Sequence, residues 1–178
     1  VRSNYLWDES SHLYEKSLKM WEALSQELNF NVMFNQKGAL NLVHSLQDMR
    51  DIERRVNSTR PTGIDAEVLN AKEVNRIEPI INTSPDSRFP IMGASYQKRA
   101  GTAHHNPVAW RYARAADALG VDIIQNCKVT GISRDNGRVL GVETSKGFIG
   151  SKRIGVAVAG HASVLAKMAG IRLPIETH

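Results

Sequence analysis

The chain has 178 residues, 42% hydrophobic and 23% charged, which is enough to bury a core and make one domain or parts of two, and excludes intrinsic disorder. Its single cysteine, Cys127, excludes an internal disulfide and the usual zinc spacings and suits a reducing, cytoplasmic setting, and no run approaches the length of a membrane span. The formal charge of +5 raises nucleic acid as a partner, but the basic residues never run longer than pairs such as Arg54-Arg55, Lys98-Arg99 and Lys152-Arg153, the pattern of a solvated surface.

The sequence opens with Val1 in a polar segment and closes at Pro174 to His178 without a helix stop or a closing strand, so it is expected to be an internal piece of a longer protein. Leu6, Leu13, Tyr14, Leu18, Trp21, Leu24 and Leu28 fall at steps of three, four and seven and predict an amphipathic helix over 6–28, with Glu15 and Lys19 on its charged face. Val32 to Gln36 and Ala39 to Val43, about a turn at Gly38, read as a hairpin. Helical spacing returns over 46–57. A short strand over 66–69 precedes Asn70, a cap for a helix over 71–77 that Pro79 stops. Asn82 to Arg88 is a polar loop, and Ile91 to Tyr96 is extended.

The second half has another rhythm. Val108 to Leu119 carries helical periodicity, with Asn106 as the expected cap, Pro107 at the first helical position and Gly120 at the close. Val121 to Ile124 reads as a strand, and 128–134, 139–144 and 147–149 read as a meander whose Asn136-Gly137 turn is a hairpin signal. Ile154 to Ala159 is an apolar run bounded by Gly160, as expected of a buried parallel strand that ends at a ligand crevice.

Three places invite chemistry. His104 and His105 sit where a loop becomes a helix, and a helix N-terminus disfavours a cation there, leaving the neutral ring that acts as a nucleophile or ligand. The bland alternative is two exposed loop histidines. Ala159, Gly160 and His161 bring small residues to a strand-to-helix junction, where a ring or phosphate can approach the backbone, or where strand simply packs on helix. Arg2, beside Ser3 and Asn4, presents a guanidinium fork that fits a carboxylate, though a lone arginine is more often a surface residue. No Gly-x-Gly-x-x-Gly follows a strand and no phosphate-loop motif occurs, so any nucleotide's main phosphate clamp lies elsewhere, and no metal set is expected.

The segments Arg2 to Ser10, Ile80 to Ser84, Val108 to Trp110, Ala115 to Cys127 and Ala159 to Ala166 closely resemble the beta subunits of heterotetrameric sarcosine oxidases, members of the D-amino-acid-oxidase-like flavoproteins. The resemblance implies a mixed α/β fold: a partial FAD-binding, Rossmann-like domain from residues 1–30 and 100–178, with residues 31–99 forming part of a substrate domain of antiparallel strands and helices. It implies the middle of a subunit roughly twice as long, inactive alone, with an apolar sheet edge left uncovered and prone to dimerisation or aggregation. In that family a histidine in the Gly101 to Trp110 stretch bonds covalently to FMN between the alpha and beta subunits. His105 falls on that position, while His104, Asn106 and Pro107 depart from the family's Lys, Asp and His, and His104 stays open as the other ring.

By the same resemblance, Ala159, Gly160 and His161 neighbour a noncovalent FAD, the backbone of Val129 meets its adenine, and Arg2 grips the substrate carboxylate. The implied reaction takes a hydride from the N-methyl group of sarcosine to FAD, yields glycine, passes electrons to FMN and makes hydrogen peroxide from oxygen. Tetrahydrofolate captures the one-carbon unit, and NAD accompanies the full complex, whose partners are alpha, gamma and delta subunits. The rival readings are a related dimethylglycine or proline dehydrogenase and a nonenzymatic basic binding module.

Overall fold

In the computed structural model, which describes residues 1–175, the first periodic segment forms α1 (Asp8–Glu27), but the face it buries differs from its apolar stripe. Ser11, Glu15, Leu18 and Leu24 are buried, whereas Leu13 and Met20 are exposed. Glu15, expected on the charged face, lies inside because Ser3 and Arg99 satisfy its carboxylate, which is the condition under which a charge can be buried. An apolar count cannot see that condition.

Two compact units divide the chain, Val1–Val121 and Asp122–His178. In the first, β1 (Ala39–Val43), α2 (Leu46–Thr59), β2 (Ala66–Asn70), α3 (Ala71–Ile77), β3 (Gly93–Gln97) and α4 (His105–Ala118) follow α1. The three strands form one antiparallel sheet in the order β1-β3-β2, with Asn41 opposite Ser95 and Val68 opposite the same residue on the other side. The central strand is almost wholly buried, as a strand covered on both faces must be. Beneath it Leu69, Val74 and Ala94 form a core with Leu40, Ile81 and Tyr96, and Val56, Ile64 and Ala66 form another with Val68. The expected cap is borne out as a full capping box: Glu73 N–H donates to Asn70 Oδ1 at 3.0 Å and Asn70 N–H to the Glu73 carboxylate at 2.8 Å.

The hairpin expected over 32–43 does not form. Met33 takes a left-handed conformation (φ 55°), which ends extended pairing, and β1 pairs instead with β3, fifty residues on. Of the first run only Asn35 bridges, and its partner is Thr102.

The second unit holds a meander, β4 (Val129–Asp135), β5 (Arg138–Thr144) and β6 (Gly147–Gly150), followed by a 3₁₀ turn (Ala159–His161) and α5 (Ala162–Met168). Asn136 and Gly137 both have positive φ, 47° and 78°, so the turn is the mirror-image type whose twist suits a two-residue hairpin. The runs 121–124 and 154–159 are not strands, contrary to expectation, and Ala159 belongs instead to the 3₁₀ turn. A buried parallel strand needs a neighbour on each side to take its backbone hydrogen bonds, and among the described residues none flanks these runs. Val121, Ile123, Ile124 and Val156 are exposed as a result.

Candidate functional site

The His104-His105 loop is held more firmly than a surface loop needs to be. Asn35 and Thr102 exchange backbone hydrogen bonds at 2.8 and 3.0 Å, Gly38 N–H donates to the Ala100 carbonyl at 2.9 Å, and Gly101 N–H donates to the Val1 carbonyl at 2.9 Å. The Val1 amino group returns a bond to the Gly101 carbonyl at 2.7 Å. Gly101 has no room for a side chain, since a Cβ there would stand 2.3 Å from the Asn35 carbonyl oxygen. One loop therefore anchors the segment carrying Arg2 and, three and four residues after Gly101, delivers the two histidines.

The cap differs from expectation. His104 occupies the N-cap position without a side-chain cap bond, His105 is the first residue of α4, and Asn106 and Pro107 lie within the first turn. Proline is still tolerated, because the first turn's N–H groups have no intrahelical acceptor. The helix docks through Val108 and Ala115, which pack on Leu24, Leu28 and Val32, and through Arg111, whose Nε donates to the Leu28 carbonyl at 2.9 Å. Both imidazoles are exposed, with parallel planes and centroids 5.6 Å apart. Either ring can thus be reached by a reactant from solvent or from another chain.

Arg2 is half-buried and lines a cavity of about 330 Å³ with Val1, Tyr5, Tyr14, Ser17 and Trp21. Its Nη1 donates to Asn41 Oδ1 at 2.9 Å, and its guanidinium stands over the Tyr5 ring at 5.2 Å from the centroid. Tyr5 in turn stacks on Tyr14 at 4.0 Å. Among the described residues no carboxylate lies within ion-pair distance of Arg2, in contrast to Arg99, which bridges two. A partly desolvated guanidinium fixed by neutral groups alone is prepared to receive an anion.

The backbone beside Arg2 is fixed by a polar network that apolar patterning did not reveal. Gln97, fully buried, accepts from Ser3 N–H at 2.9 Å and donates to Ser3 Oγ at 2.7 Å and Asp65 at 3.1 Å. Ser3 Oγ donates to Glu15 at 2.7 Å, and Arg99 donates to the other Glu15 oxygen at 2.6 Å. Arg99 also grips Glu22 with two bonds of 2.9 Å. That grip holds the Glu22 carboxyl below its ordinary range, against the opposing effect of burial, and raises Arg99 further above its own, so the pair is ionised at neutral pH. Next in sequence, Asn4 is 1% exposed, yet neither its Oδ1 nor its Nδ2 has a partner. A buried amide with nothing to bond costs about 1–3 kcal/mol, so these atoms fit a polar group that the described residues do not supply. Gln97 is not distinguished in the sequence, whereas Ser3 and Asn4 stood out only as Arg2's neighbours.

The remaining expected site residues lie in the second unit. Val129 begins β4, one of the two outer strands of the meander, and pairs with Thr144 just before a bulge. Ala159 has a left-handed backbone (φ 46°), an uncommon conformation for a residue with a Cβ, and Gly160 and His161 are exposed beside it in the turn that leads into α5. Arg134 Nη1 donates to the Ala169 carbonyl and ties β4 to the end of α5. A cavity of about 410 Å³ in this unit is walled by Lys167, Ile171 and Arg172, and none of the expected FAD neighbours lines it.

Known proteins bear on these features. Over all 178 residues the chain is 53% identical to the sarcosine oxidase subunit beta of Arthrobacter sp and 52% identical to that of Rhizobium meliloti (strain 1021), covering 44% and 42% of those proteins. It thus spans less than half the length of these curated relatives. Among solved structures, L-proline dehydrogenase from P. horikoshii superposes with a TM-score of 0.88 at 22% identity, over 96% of this chain and 44% of that one. Glycine oxidase from Geobacillus kaustophilus superposes with a TM-score of 0.81 at 20% identity, over 93% of this chain and 44% of that one. These likenesses bear out the expected D-amino-acid-oxidase type of fold. The family model for FAD dependent oxidoreductases matches residues 1–178, and the chain belongs to that family.

Proposed function

We propose that this chain is part of a flavin-dependent amine oxidoreductase that demethylates sarcosine to glycine. The observation that carries the reading is Arg2: a guanidinium on a cavity, oriented by Asn41 and Tyr5 and lacking a carboxylate partner among the described residues, in a chain 46–53% identical to three sarcosine oxidase beta subunits. Its counter-ion is the carboxylate of the amino acid. With that end fixed, the N-methyl group is placed rather than free to tumble, and positioning is a large part of what an enzyme contributes to a transfer reaction.

FAD, when bound, accepts the hydride. Val129, Ala159, Gly160 and His161, on the second unit, would hold it as backbone and small-residue neighbours. Residues 1–30 and 100–178 are assigned to the partial FAD-binding domain and 31–99 to the substrate domain. His105 is assigned the covalent bond to FMN, with His104 as the neighbouring ring. The exposed imidazole and the exposed Trp110 on the same helix support a site completed by another polypeptide, the alpha subunit, with gamma and delta subunits, NAD and tetrahydrofolate in the whole complex and oxygen as the final acceptor. Among the described residues no helix is long and apolar enough to cross a membrane, and a cytoplasmic location is part of the proposal.

The test is to express the full-length chain with its partner subunits, look for flavin that survives acid precipitation, and map the labelled peptide. The His105→Ala variant should lose that flavin, and retention would move the bond elsewhere. Comparing sarcosine, dimethylglycine and proline as substrates decides between this reading and its nearest rivals. Nucleic-acid affinity that falls steeply with salt would favour the binding-module reading instead.

A further inference from the structure

The guanidinium of Arg2 is oriented from two directions by groups without charge. Asn41 takes one edge through a 2.9 Å bond to Nη1, and its own Nδ2 donates to Ser95 Oγ at 3.1 Å. Ser95 is fully buried in the central strand, directly opposite Asn41 in the sheet register, so the amide cannot swing without breaking that bond. Tyr5 covers one face of the guanidinium and is itself backed by Tyr14. The Nε and Nη2 donors have no acceptor among the described residues. They form one side of the planar fork, the side that matches the two oxygens of a carboxylate.

Elsewhere in the same unit, carboxylates do this work. Arg99 is held by Glu15 and Glu22, and its charge is consumed by them. We propose that Asn41 is a positioning residue for the substrate carboxylate: a neutral amide that aims Arg2 while leaving its charge uncompensated, so that the amino-acid substrate is the guanidinium's only carboxylate partner. This rests on the reading of Arg2 above. Asparagine and aspartate are nearly the same size and accept the same bond through Oδ1, but aspartate would bring an internal counter-ion. The replacement therefore isolates charge from shape.

The experiment uses the full-length subunit in its assembled complex, with acetate as a probe titrated against the flavin absorbance, and with sarcosine kinetics. Asn41→Asp should raise the acetate Kd and the sarcosine KM by about tenfold to a hundredfold, the range of a charge-assisted bond, while kcat at saturation stays within about threefold. Asn41→Ala, which removes the aiming bond without adding charge, should raise both by about threefold to tenfold and carries the test if the aspartate variant does not assemble. Acetamide, uncharged, should bind both variants as it binds the parent. If Asn41→Asp binds acetate like the parent while Arg2→Met does not, the inference falls and the Arg2 reading stands. If Arg2→Met binds acetate like the parent, that reading falls first. Equal losses for acetate and acetamide would mean that Asn41 only supports the fold, and would also overturn the proposal.

Discussion

The buried end of the Glu15–Arg99 pair sets the stability of the region that carries Arg2. The Glu15 side chain is 7% exposed and, if its arginine is removed, keeps the Ser3 hydroxyl and only a long 3.9 Å contact to the exposed Lys19 ammonium. Taking one partner from a buried ion pair costs about 3–5 kcal/mol, and because Arg99 is 29% exposed the lower end applies to Arg99→Ala. The outer contact matters less: Glu22 is 31% exposed, and a screened pair of that kind contributes at most about 1 kcal/mol. The penalty is chiefly the stranded Glu15 charge, so removing that charge as well should relieve it. Arg99→Ala/Glu15→Gln is expected to recover about 2 kcal/mol of the loss, and the cycle for Arg99 and Glu22 should show less than half that coupling. Urea denaturation of the full-length subunit, followed by the fluorescence of Trp21 in the adjoining core, reads both cycles. Equal destabilisation of Arg99→Ala with and without Glu15→Gln would refute the argument.

Leu18→Ala removes a fully buried side chain from α1 and should cost about 2–5 kcal/mol in the same denaturation assay. Asn70→Ala removes the side-chain acceptor of the Glu73 N–H while keeping the backbone N–H that donates to the Glu73 carboxylate, and should cost about 1 kcal/mol, seen as faster hydrogen exchange in α3. The Glu22 carboxyl is depressed below its ordinary 4.5, so its contribution is present above that value and is lost as the pH falls through the folded-state value. Glu22→Gln should therefore lower stability slightly at neutral pH, by at most about 1 kcal/mol for so exposed a pair, and flatten the acid limb below about pH 4.5, so that the urea midpoints of the two proteins converge as the pH falls. Gly101→Ala forces a Cβ against the Asn35 carbonyl and should loosen the loop, with acetate binding and covalent flavin yield falling together in the assembled complex.

What the sequence disclosed was whatever is carried by near neighbours. The Asn70 cap acts on a residue three positions away, and the Asn136-Gly137 turn is set by two backbone conformations, so both were legible. Pairing was not, because β1 could satisfy its backbone with the adjacent run or with β3, and only the left-handed Met33 and the packed sheet decide between them. Ile154 to Val158 misled for the opposite reason: its composition suits a buried parallel strand, but composition does not supply the neighbours that a strand requires. Arg2 and His105 were visible through family resemblance rather than spacing. Asn41, Gln97 and Glu15 were invisible, since a polar residue on a half-buried element looks like a solvated one until its partners, far off in the chain, are known.

The two candidate positions in the first unit are mechanically joined, which constrains how substitutions at either can be interpreted. Val1 and Gly101 exchange backbone bonds, Ser3 is clamped by Gln97, and Arg99 stands between them on the same loop. A change that shifts the segment 98–104 therefore moves Arg2 through Val1 and Ser3 as well as moving His105 through the start of α4. Loss of carboxylate affinity on altering the loop is then no evidence that the loop touches the carboxylate, and loss of covalent flavin on altering Gln97 would be no evidence that Gln97 touches the flavin. Side-chain changes that leave the backbone bonds intact, such as those at Asn41 and His105, are the ones that separate contact from support.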